Sequence, residues 1–288
     1  MRLLPHIQVL SLAALLQAGW PLVARPAEPE VVAPPAPPAI LLQGDGSWAP
    51  WQERLRTLNA LTSRLSGDDA TALVRFATQP GVPKGFQPAE WHAYANDAFN
   101  VLRRQQPLPE DYPAALLALS ANADADDTLR DYAVQHIAVL AETPGRQADA
   151  LRAELWRQVA EPKHTRAGTA LLGLEPLVKL LPDEQKRLSE TALAWAEGAG
   201  DVGPGAQVTG LQVCLHQRVK EVLPIARRRA YDEKADAAVR RSCVAILGHL
   251  GDGGDLALLR KAPFKDHTRY RSAVTAAIKQ LASRENTQ

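Results

Sequence analysis

The chain is poor in the residues that metal, redox and nucleophilic chemistry draws on. Its 288 residues include two cysteines, Cys214 and Cys243, and a single methionine. The cysteines are not at ligand spacing, and none of the histidines stands in a His-Glu or His-x-x-x-His step. A zinc or di-iron centre needs several such ligands on one face, so the sequence nominates no metal site and no cofactor. No acid/base cluster or nucleophile motif stands out either, which argues against an enzyme. Aromatics are only 5% of the chain, and runs of β-branched residues or strict apolar/polar alternation are missing, which excludes a sheet protein. Strong net charge is missing too. At +1 with a pI near 7.8, the chain does not look like a nucleic-acid binder.

What remains is alanine- and leucine-rich sequence, 46% apolar and 23% charged, the composition of a folded helical protein. The first residues are a separate object. Arg2 precedes the apolar run 7–16, and no acid occurs before Glu28. This pattern predicts a secretory signal peptide over 1–24, hence export to the periplasm or cell envelope. An uncleaved membrane anchor is the alternative, since 7–23 reaches the lower length limit for a span. Gln8, Gln17, Gly19 and Pro21 disfavour the anchor, and no cysteine follows to carry a lipid. The mature domain is expected not to insert in a membrane. Residues 25–47 are proline-rich and predict an extended linker.

From Trp48 onward the apolar spacing is helical. Residues 48–108 predict an N-terminal helical cap. Its stripes are Leu55, Leu58, Leu61 and Leu65; then Leu73, Val74 and Phe76 behind a cap at Asp68 or Asp69; then Trp91, Tyr94, Ala98, Phe99 and Leu102. Gly67 is expected to end the first of these. Thereafter the pattern repeats. Shifting 239–250 forward by 31 residues lays Val239, Cys243, Ile246, Leu247 and Leu250 on Tyr270, Val274, Ala277, Ile278 and Leu281. A shift of 32 lays 224–230 on 256–262, and one of about 36 relates the helix opening at Thr128 to the one at 166–174. Drifting spacing of this kind is what loop insertions in a repeat array produce. Residues 109–284 therefore predict an all-α, right-handed solenoid of stacked antiparallel helix pairs, in which 239–250 pairs with 256–262 as its second helix.

Residues 238–252 and 255–259 resemble a HEAT-repeat unit. Arg240 lies just inside the first helix, and Leu247-Gly248-His249-Leu250-Gly251-Asp252 occupies the inter-helix turn. The segment 130–136 resembles a stretch of exported bacterial HEAT-repeat proteins of unassigned function. The resemblance implies binding or scaffolding of another protein or peptide rather than catalysis. A purely structural envelope module is the second reading, and a lyase-like HEAT protein is a third.

Several residues carry alternative readings. His136 is expected to pack or hydrogen-bond between repeats. Cys214 and Cys243 fall on apolar faces of neighbouring helices and read as buried thiols, or as a disulfide if their Cα atoms come within about 7 Å. Trp91, Trp156 and Trp195 read as core. Charge is uneven: residues 201–288 hold 15 Lys and Arg against 9 Asp and Glu, whereas 39–200 hold 16 against 21. Arg227, Arg228, Arg229, Arg260 and Lys261 sit late in second helices. They either complement helix C-termini and form inter-repeat ladders, or line a basic groove for an acidic protein or peptide.

Overall fold

The structure, a computed structural model, describes residues 56, 58, 65–143, 145, 147–261 and 268–285. The expected signal peptide and linker, the start of the cap, Trp20, Trp48 and Trp51 lie outside the described residues. Among the described residues there are twelve α-helices and no strand. They are α1 (Gly67–Ala77), α2 (Pro88–Arg103), α3 (Tyr112–Ala121), α4 (Asp127–Ala141), α5 (Ala148–Val159) and α6 (Thr165–Leu177). Then follow α7 (Pro182–Glu197), α8 (Pro204–His216), α9 (Leu223–Ala230), α10 (Ala237–Leu250), α11 (Gly253–Lys261) and α12 (Thr268–Glu285).

Local sequence sets where the helices begin. Asp126 and Asp236 each cap an even-numbered helix, accepting from Thr128 and Ala238 N–H at 2.8 and 2.7 Å. Four residues before each cap, Asn122 and Asp232 accept from Asp124 and Lys234 N–H, both at 2.9 Å. The same turn is thus written twice, before α4 and before α10. The cap of α4 is Asp126, so the helix opens one residue before the expected Thr128. For α1 the cap is Ser66, which accepts from Asp69 N–H at 3.1 Å. Gly67 is the first residue of that helix, and the serine hydroxyl, rather than an aspartate, meets one of its free N–H groups.

The helices stack in two layers. Each even helix packs on the next even one, from α2 through to α12, and each odd helix lies against the even helix that follows it. This is an all-α solenoid of helix pairs. The pairing frame differs from the sequence expectation: α10 pairs with α9, while α11 packs on α12. Gly251 and Asp252 join α10 to α11 and carry it away onto α12, whereas the Asx turn at 232–236 folds α10 back along α9.

The core runs between the layers and includes Leu129, Ile137, Leu155, Leu171, Val213 and Leu247, all fully buried. Each such side chain contributes about 1.5–3 kcal/mol of burial. Two close approaches between even helices are made where glycine faces alanine. A Cβ on Gly173 would stand 2.5 Å from the Cβ of Ala138, and one on Gly248 would stand 2.9 Å from the Cβ of Ala277. At the amino-terminal end α1 and α2 continue the two layers, filled by Phe76, Phe86, Trp91 and Tyr94 with ring centroids 5.3–6.4 Å apart. At the other end α12 presents Arg271, Ser272, Thr275 and Lys279 to solvent, a polar face that ends the stack.

Candidate binding groove

Most charged side chains near the core are used to join one helix pair to the next. Arg166 is only 3% exposed. It donates to Gln158 Oε1 at 2.7 Å, Asp127 at 3.0 Å and Glu161 at 2.9 Å. Arg130, thirty-six positions earlier, donates to the Ser120 carbonyl at 3.2 Å and reaches the same Asp127 at 3.5 Å. Buried Gln158 and Ser120 both donate to Glu154 at 2.7 Å, closing the network between α3, α4, α5 and α6. At α10 the equivalent Arg240 lies over the Tyr270 ring at 4.7 Å, and the Tyr270 hydroxyl donates to the Ala230 carbonyl. On the even layer, Thr169 donates to Asp131 at 2.6 Å and His216 meets Glu175 at 3.0 Å. The Glu175 carboxylate raises the His216 pKa, while burial raises that of Asp131.

The basic residues read from the sequence divide accordingly. Arg227 binds Asp255 at 2.8 and 2.9 Å and Asp252 at 3.0 Å. Arg228 pairs with Glu197, and Arg229 donates to Gln207 and to the Glu197 carbonyl. These three side chains thus tie α9 to α7, α8 and α11. Arg260 and Lys261 are exposed at the end of α11, and no contact among the described residues joins them to the other three.

His136 is 5% exposed, with Nδ1 3.2 Å from the Tyr112 hydroxyl and Nε2 3.3 Å from Asn96 Oδ1. It links α4 to α3 and α2, the inter-repeat role expected of it. Burial, assisted by the Arg103 charge, lowers its pKa to about 3, so the ring is neutral. Cys214 and Cys243 are free and buried, and burial pushes both thiols up to about 12. A thiol held so far from ionisation is a poor nucleophile. Trp91, Trp156 and Trp195 are buried as expected. Among the described residues no group of three or more His, Cys, Asp or Glu side chains could hold a metal ion, and no helix is long and apolar enough to cross a membrane.

A groove of about 720 Å³ opens at the edge of the stack where even helices turn into odd ones. Its walls are the end of α2, the loop 105–111, the end of α4 and the start of α5. Pro113, Leu140 and Leu151 form an apolar floor, and Leu108 and Val139, 37% and 36% exposed, stand in it. Exposed aliphatic side chains gathered in one concavity mark a surface suited to binding. Arg103, Arg104 and Glu110 line the same groove. Arg103 donates to Asn100 Oδ1 at 3.2 Å, and its buried Nε has no hydrogen-bond partner among the described residues. A second groove of about 710 Å³ lies across the loop 105–111 and is lined by Asp68, Glu110 and Asp111. The first groove escaped sequence reading because its residues come from four helix ends and a proline-rich loop. The only available signal was the Arg103-Arg104 pair at a helix end, where complementing the helix dipole is the ordinary role.

Comparison with protein-family models, curated proteins and solved structures found no match.

Proposed function

We propose that the chain is a non-enzymatic scaffold of the cell envelope, built from HEAT-like repeats, that binds another protein or peptide. The observation that carries this reading is the groove between α2, α4 and α5, where Leu108 and Val139 are left open to solvent beside two arginines. Arg166, Arg227 and Arg228 are engaged with the chain's own acids, whereas the groove sets exposed aliphatic side chains beside arginines that have no ion pair among the described residues, so the groove is where a ligand gains most. The HEAT-like assignment is supported by Arg240 and by the segment 247–252 at the α10–α11 joint. Export is supported by the basic start and apolar run of residues 2–16.

The test is affinity capture from an envelope fraction, with the tagged chain compared against Val139→Asp. A protein retained by the parent and released by the aspartate variant supports the reading. Identical retention by both, or retention of nothing by either, removes it. The second case would leave a structural module as the better account.

A further inference from the structure

We infer that this groove takes an extended peptide segment in which a carboxylate side chain sits next to an aliphatic one, the carboxylate meeting Arg103 and Arg104. The inference rests on the reading of the groove as the binding site and adds the chemistry of its occupant.

Charge complementarity carries it. Arg152, Arg157, Arg166, Arg227 and Arg228, which join neighbouring helices or turns, each have a carboxylate within 4.0 Å. Arg103 and Arg104 have none among the described residues. Arg103 is also held in a demanding place. Its Nε is buried and unmatched, and its charge acts on buried Tyr112 and His136. A guanidinium with donors to spare beside an apolar floor favours a carboxylate, because the bond is charge-assisted and partly shielded from water. Glu110 lines both grooves, and the neighbouring one adds Asp68 and Asp111, which repel the same group. The acidic side chain is therefore directed to the arginine side of the loop 105–111. Leu108 and Val139 then supply the aliphatic contact.

The experiment is selection of a random peptide library displayed on phage against the full chain, followed by fluorescence anisotropy with the consensus peptide. The expected consensus places Asp or Glu beside Leu, Ile or Val. Changing that acid to its amide in the peptide should weaken binding on the order of 10- to 100-fold. Arg104→Gln, at an exposed position, should do the same in the protein and flatten the salt dependence. Arg103→Gln should agree, provided its circular dichroism matches the parent. A consensus that binds only when Val139 is intact but is indifferent to the acid overturns this inference and leaves the groove standing. Absence of enrichment, or binding unchanged by Val139→Asp, overturns both.

Discussion

Replacing Gly173 by alanine should destabilise the protein, although alanine is the better helix former. Gly173 lies in α6, and a methyl group there would sit 2.5 Å from the Ala138 Cβ in α4 and 3.7 Å from its Cα. Alanine gains about 1 kcal/mol of helix propensity over glycine. Overpacking a stiff contact costs about 1–3 kcal/mol, because neither Cβ can rotate away and a backbone must shift. The single variant is thus neutral to about 2 kcal/mol less stable. Ala138→Gly alone loses about 1 kcal/mol of propensity. In the double variant the propensity terms cancel, and the 3.7 Å approach to the Cα is ordinary contact. The swap should therefore recover most of the parent stability, with a favourable coupling of about 1–3 kcal/mol. Urea denaturation of the four proteins measures it, with the slope checked to be constant across the set. Additive effects within about 0.5 kcal/mol would mean that α4 and α6 do not meet at these positions.

Three further outcomes follow from the same geometry. Leu247→Ala, at a fully buried site in α10, should cost about 2–5 kcal/mol, and hydrogen exchange should show the loss first in α8 to α12. His136 binds its proton at about 3 in the folded state against about 6.5 unfolded, so its contribution is intact above pH 6.5 and lost as pH falls towards 3. Between pH 6 and pH 4 the parent should lose about 2 kcal/mol more than His136→Asn, and equal acid slopes would contradict the buried neutral ring. Arg227→Gln should cost about 1–3 kcal/mol, because it leaves Asp255, only 1% exposed, without its charged partner. Arg228→Gln, at an exposed pair, should stay within about 1 kcal/mol in the same thermal melts.

The layers were legible because burial imposes a period on each helix. Val239, Cys243, Ile246 and Leu247 are all buried at the spacing that the sequence displays. The repeat offset likewise located α10 and α12 as neighbours in one layer. Three things were not legible. The pairing frame depends on whether a joint folds a helix back or carries it away, and Gly251-Asp252 looks like a turn in either case. The partners of the arginines depend on which carboxylates the stack brings near. Arg227 and Asp255 are 28 positions apart and lie on separate helices. The ladder reading of Arg227, Arg228 and Arg229 accounts for every contact they make among the described residues, while their part in binding a partner stands apart from those contacts. The groove was invisible because its shape is made by loop 105–111 and four helix ends that no local period connects.

The functional account turns on whether a partner occupies the groove, and site-specific photocrosslinking in the native host tests that most directly. A benzophenone amino acid placed at Val139 should yield a covalent adduct with a protein or peptide. The same group at Lys186, exposed on α7 and outside the groove, should yield none. Adducts at Lys186 and not at Val139, or none at either position, would contradict the groove as the binding site.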